Sequence, residues 1–128
     1  MTMNEDILFF FNGHMDALPL YKRLEAQVLD QIPDVHIKVS KTQISFFNRR
    51  GFAFVSFSPC RKAGERPRVW MTVTFGLDYK KDSVRIDVAT EPYPNRWTHH
   101  VMVGSESEID EELMEWIREA ADFSASKK

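Results

Sequence analysis

Cysteine is nearly absent. Cys60 is the only one in 128 residues, so no internal disulfide can form and an oxidising compartment is not indicated. Long hydrophobic runs are missing too. The longest, residues 7–11, is far shorter than the ~20 apolar residues a membrane-crossing helix needs, and no membrane association is expected. The opening Met-Thr-Met-Asn-Glu-Asp carries acids where a secretory signal carries Lys or Arg, and no cleavage site follows. These absences predict a soluble, cytoplasmic protein. There is no Walker loop, no GxGxxG, no HExxH and no zinc-type Cys/His spacing. Hence no cofactor and no metal are expected, and no repeat or low-complexity tract suggests an array or a disordered chain.

What is present is an ordinary globular composition, 43% hydrophobic and 28% charged. It predicts a single domain over 1–128, with 1–14 a less certain N-terminal segment and 124–128 a small polar tail expected to fray. Charge is unevenly spread. Residues 36–100 hold 12 Lys/Arg against 5 Asp/Glu, whereas the remainder holds 5 against 14. A net charge of −2 therefore conceals a basic middle between acidic ends.

The hydrophobic period changes along the chain in step with charge. Residues 4–12 read as a short helix with Asn4 as cap and Gly13 as terminator, or as a short strand through Ile7–Phe11, where three consecutive Phe favour β structure. A helix over 17–32 carries Leu20, Leu24, Val28 and Ile32 on one stripe, with Asp16 as N-cap and Pro19 in the first turn. From 35 to 103 the period is two. Ile37 and Val39, Ile44 and Phe46, and the run 69–77 alternate apolar with polar; the last predicts a half-buried antiparallel strand. Further strands are expected over 84–89 and 97–103, a hairpin turn at Asn48-Arg49-Arg50-Gly51, and a long loop over 58–67. The last helix is expected to start at Ser105 or Ser107, with Ser105 and Glu108 as a capping box and Ile109, Leu113, Trp116, Ile117 and Ala120 buried. This order predicts an α+β fold: one antiparallel sheet of about five or six strands, with N-terminal and C-terminal helices packed on one face.

Two constellations carry potential chemistry. The first is Arg96-Trp97-Thr98-His99-His100 at the start of a strand, where successive side chains point to opposite faces. His99 shares the core side with Trp97 and Val101, and His100 the other side. The two cannot readily chelate one metal, and no Ser or Cys stands at a triad spacing. The second is the set of cations on strands and turns, from which Lys41, Arg49, Arg85 and Arg96 are selected together with His99 and His100 as candidate ligand-binding residues. A sheet face gathering them, with Phe47, Trp70 and Tyr79 interleaved, suits nucleic acid or a phosphorylated or carboxylated small molecule. The competing reading is a solvated face whose cations are paired by the acidic helices. The acids of the last helix could suggest a divalent cation, although a solvated helix face explains them. Cys60 beside Arg61 and Lys62 could have a lowered thiol pKa.

Ala17-Leu18-Pro19-Leu20-Tyr21, Lys41-Thr42-Gln43-Ile44-Ser45-Phe46, Phe52-Ala53-Phe54-Val55, Arg96-Trp97-Thr98-His99-His100 and the closing helix over 112–120 together resemble a bacterial family built on a domain of unknown function. The resemblance runs from about Phe10 to Phe123. It implies a small stand-alone α+β domain, and some members carry the label "predicted transport protein". It brings no activity, substrate or catalytic residue.

The reading that follows is a small cytoplasmic binding module receiving an anionic ligand, nucleic acid or a small molecule, on a basic sheet face. Two alternatives stay open. One is an enzyme of unknown type using a histidine of residues 96–100 with Lys41 or a nearby acid. The other is a homodimer or adaptor joining through strand edges or through Phe47 and Trp70.

Overall fold

The computed structural model describes residues 3–126, the side chains from Asn4 onward. Three helices, α1 (Met3–Phe10), α2 (Leu18–Gln31) and α3 (Glu111–Ala125), accompany six strands: β1 (His36–Val39), β2 (Gln43–Phe47), β3 (Gly51–Ser56), β4 (Met71–Leu77), β5 (Val88–Tyr93) and β6 (Arg96–Val103). The strands form one sheet in the order β1-β2-β3-β4-β6-β5, every neighbour antiparallel. The α+β architecture read from the alternating periods is the observed one.

The sheet has a helix side and an open side. Ile44 and Phe46, Ala53 and Val55, Val73 and Phe75, and His99 and Val101 lie in register across β2, β3, β4 and β6 and are all buried. Tyr21 of α2 stacks on Phe46, and Trp116 of α3 on Phe75 at 5.8 Å between ring centroids. Both helices thus bury their stripes on the same face. Tyr21 is fully enclosed, and its hydroxyl donates to Glu25 at 2.6 Å, which satisfies the one polar atom on that ring.

The helix ends differ from the expectation in instructive ways. The first segment is a helix, not a strand, and turns away at Gly13, whose φ of +86° suits a residue without Cβ. Asp16 caps nothing: a 3₁₀ turn over Met15–Ala17 precedes α2, and Ala17 holds the cap position. Pro19 does sit in the first turn. Ser105 and Glu108 meet as foreseen, but around a 3₁₀ turn over Glu106–Glu108, where Glu108 also accepts from the Gly104 N–H at 2.9 Å. The cap of α3 is Asp110, which accepts from the Leu113 N–H at 3.0 Å.

Three further corrections concern strands and tail. The half-buried strand is buried on both sides along its whole length, because Thr72 donates to the Ser58 carbonyl of the overlying loop and Thr74 meets His100. Of the strand expected over 84–89, only Val88 and Ala89 are in one. Arg85 is drawn to the start of α3, and the Asp87 carboxylate accepts from the Met102 N–H where a ladder bond would stand, so β5 begins only at Val88. At the other end Ser124 does not fray. It is buried, with its Oγ 2.6 Å from Asn48 Oδ1 and accepting from the Arg50 N–H at 3.0 Å, while Asn48 Nδ2 donates to the Ala121 carbonyl. Residues 1–2 of the N-terminal segment and 127–128 of the tail lie outside the described residues. No helix among the described residues is long and apolar enough to cross a membrane.

Candidate functional site: a hydroxyl-lined pocket on the open sheet face

On the open side, alternation brings the polar half of each strand together. Ser56 pairs with Thr72, Phe54 with Thr74, Thr74 with His100 and Gly76 with Thr98. A pocket of ≈370 Å³ opens over these residues, lined by Thr42, Gln43, Phe54, Ser56, Ser58, Thr74, Arg96, Thr98 and His100. Its volume falls within the range of small-molecule sites.

Two side chains give the pocket its chemistry. Arg96 starts β6, and its guanidinium lies against Gly76 so closely that any Cβ there would overlap it. A glycine inside a strand commonly marks such a close approach; here it lets the arginine fold back along the sheet toward Thr74 and His100. Among the described residues Arg96 has no carboxylate partner. His100 Nδ1 shares a 2.8 Å hydrogen bond with Thr74 Oγ1, which fixes the ring. Its Nε2 makes no hydrogen bond among the described residues and is not sealed from solvent. Burial holds the His100 pKa below the usual histidine value, so the ring is neutral at pH 7.

The other candidates are dispersed. His99 is fully buried on the helix side, its ring stacked on Phe75 at 4.8 Å and its Nε2 accepting from the Lys81 N–H at 3.0 Å. The proton therefore sits on Nδ1, which faces the Phe75 carbonyl without a well-formed hydrogen bond. Burial, with the nearby Lys81 and His100, lowers its pKa against the opposing pull of that carbonyl and Glu119. Arg85 is neutralised. It bonds Asp110 at 2.9 Å, Glu112 at 2.9 Å and the Glu108 carbonyl at 2.7 Å, with its guanidinium 5.6 Å above Trp116. Lys41 lines a neighbouring hollow with Phe9, His14 and Phe57 that meets the pocket only at Thr42 and Ser58. Arg49 sits exposed in the β2–β3 turn, beside the end of α3.

Acids of α3 and of the loop before β5 claim further cations of the basic middle. Lys81 pairs with Glu119 at 2.8 Å; burial would lower its pKa, but that partner and Tyr79 hold it above the ordinary value. Arg61 pairs with Asp87 at 2.8 Å. The open face is consequently hydroxyl-rich, not basic. Cys60 departs from expectation in the same direction: burial first, then Asp87, push its thiol pKa up. Phe47 and Trp70 are not spare aromatics either, since Phe47 packs on His36 and Trp70 on Phe57 and Arg66. The large apolar groups left outside include Phe9, 63% exposed, and Leu8, both on α1.

A larger hollow of ≈530 Å³ runs along α2, but its charged members, Lys22, Arg23 and Glu106, are all exposed and none is fixed by a buried partner. Among the described residues no three His, Cys, Asp or Glu side chains gather as a metal site. Residue-by-residue reading missed Thr42, Gln43, Phe54, Ser56, Ser58, Thr74 and Thr98. Gly76, a lone glycine within the clearest strand, was the signal that something crosses the sheet there.

Fold and pocket together define a small sheet-plus-helix domain with one open, polar face. The chain belongs to the family described as Domain of unknown function (DUF5655), whose family model matches residues 9–124. No curated protein and no solved structure matches it.

Proposed function

We propose that this domain is a binding module for a small anionic ligand, held in the open-face pocket with Arg96 as the anion-receiving group and His100 Nε2 as a second polar contact. One observation carries the reading: among the described residues Arg96 is a half-buried cation without a carboxylate partner, lying over Gly76 in the pocket, while Arg61, Lys81 and Arg85 are each matched by acid. A half-buried guanidinium beside hydroxyl groups gains when an oxyanion completes it.

Nucleic acid is the weaker form of the proposal. Lys38, Lys41 and Arg49 are exposed but spread from strand β1 to the β2–β3 turn, so they do not form a continuous track for phosphates. General acid–base catalysis also lacks a partner here, since among the described residues the pocket lining contains no carboxylate and no lysine.

Amide shifts of the ¹⁵N-labelled chain test the proposal. Sodium glucuronate or glucose 6-phosphate at millimolar concentration should move the resonances of Thr74, Thr98 and His100, leave Lys22 and Glu106 on the α2 hollow still, and lose its effect in Arg96→Ala. Silence at Thr98 and His100 with both anions would sink the reading. A ten-residue oligothymidylate that instead shifts Lys38, Lys41 and Arg49, with steep salt dependence, would replace it with nucleic-acid binding.

A further inference from the structure

We infer, building on the anion-binding reading above, that the open-face pocket takes a hydroxylated monocarboxylate of the sugar-acid type in preference to a phosphate ester. The lining holds one formal charge. Among the described residues Arg96 is the only Lys, Arg, Asp or Glu in it. A guanidinium offers two parallel N–H donors that fit a carboxylate fork to fork. A phosphate monoester brings nearly two negative charges at pH 7, and its second charge would meet the neutral His100 ring. The α2 and α3 helices pack on the other face of the sheet, so neither aims its N-terminal N–H groups at this site.

The uncharged lining fits the remainder of such a ligand. The hydroxyls of Thr42, Ser58 and Thr98 make no hydrogen bond among the described residues, and Gln43 adds an amide that reaches Ser45 at 3.3 Å. Each of the three hydroxyls can both donate and accept, as the hydroxyls of a sugar require. The half-buried Phe54 ring supplies the apolar wall against which the C–H face of a pyranose packs. A simple aliphatic acid would satisfy Arg96 but leave these polar groups unmatched, and a neutral sugar would do the reverse. Sites that hydrogen-bond substrate hydroxyls discriminate strongly against analogues lacking them.

Calorimetric titration of the full chain at pH 7 with sodium glucuronate, glucose, propionate and glucose 6-phosphate tests the inference. Glucuronate should bind at least roughly tenfold tighter than glucose or propionate, and glucose 6-phosphate should bind no tighter than glucuronate. Arg96→Ala should weaken glucuronate binding by about 10- to 150-fold, the loss of hydrogen bonds to a charged group. Arg96→Lys, which keeps the charge without the fork, should restore only part of it. Tighter binding of glucose 6-phosphate would overturn the monocarboxylate assignment and leave the anion-binding reading standing. Equal binding of propionate and glucuronate would overturn the sugar part alone. Absence of Arg96-dependent binding by all four at millimolar concentration would overturn inference and reading together.

Discussion

His99 and His100 are adjacent in sequence and face opposite sides of the same strand, and each sums up its side. His99 is stacked on Phe75, sealed from solvent, and engaged through Nε2 by the backbone of Lys81. His100 keeps one nitrogen on Thr74 and leaves the other toward an open pocket. The cations divide in the same way. Arg85 and Lys81 reach over to the carboxylates of α3, while Arg96 lies against Gly76 with none among the described residues. On the helix side the cations are matched by acid, although His99 Nδ1 lacks a well-formed hydrogen bond; on the open side Arg96 has no carboxylate partner and His100 Nε2 no hydrogen bond among the described residues. In the reading proposed above, those two groups are where the molecule accepts something from outside.

Truncation of the two faces should separate them most. Phe75→Ala removes a fully buried ring between His99 and Trp116 and should cost about 3–5 kcal/mol in urea-monitored unfolding. Phe54→Ala, on the half-buried open side, should cost about 1–2 kcal/mol. Equal losses would mean that the open side is core after all. Next come the two arginines. Arg85→Ala should destabilise by about 1–2 kcal/mol, discounted because Asp110 and Glu112 are largely exposed. Arg96→Ala should stay within about 0.5 kcal/mol of the parent while weakening glucuronate binding by about 10- to 150-fold. A larger stability loss at Arg96 than at Arg85 would reverse their assigned roles.

Acid should act on both histidines. Each has its folded pKa below the ordinary value, so the unfolded chain binds the proton first as pH falls. Stability is therefore full above about pH 6.5 and declines below it, by at most about 1.4 kcal/mol per pH unit for each ring, until the folded pKa is passed. The carboxylates of Asp110 and Glu119, lowered by Arg85 and by Lys81 against the opposing effect of burial, add their own loss at still lower pH. Chemical unfolding at pH 7.5 and 5.5 should show the decline, and His99→Phe should reduce it. An undiminished slope in that variant would place the proton uptake elsewhere. The smallest effect on stability belongs to Gly76→Ala. The three atoms nearest to its Cβ all belong to the movable end of Arg96, so unfolding should shift by less than about 0.5 kcal/mol, yet displaced Arg96 should weaken glucuronate binding roughly tenfold. Unchanged affinity would mean that the arginine need not lie over that glycine.

The architecture was readable because period and burial are local properties: the alternation in β4 and the stripe of Leu113, Trp116 and Ile117 each name a face without knowledge of the rest. The pocket was readable only at Arg96 and His100. Its other walls are single Ser, Thr and Gln residues from four strands and two loops, and nothing local distinguishes them from solvent-facing positions until the strand order sets them side by side. Arg85 went astray for a related reason. A strand was expected around it because Val84 and Ile86 alternate with it, but Asp110 and Glu112 lie well over twenty positions away in sequence and pull it out of the sheet.

The clasp between the β2–β3 turn and the last turn of α3 has a consequence for how the molecule is made. Asn48 and Ser124 are 76 positions apart, and chains lengthen on the ribosome at roughly 5–20 residues per second. The hairpin therefore leaves the exit tunnel seconds before the segment that fastens it exists. Until then Asn48 and the Arg50 amide must be hydrated, and the apolar underside of β3 must wait uncovered or be held by a chaperone. Closure of the domain is thus a late event that waits for Ser124 to act as the latch.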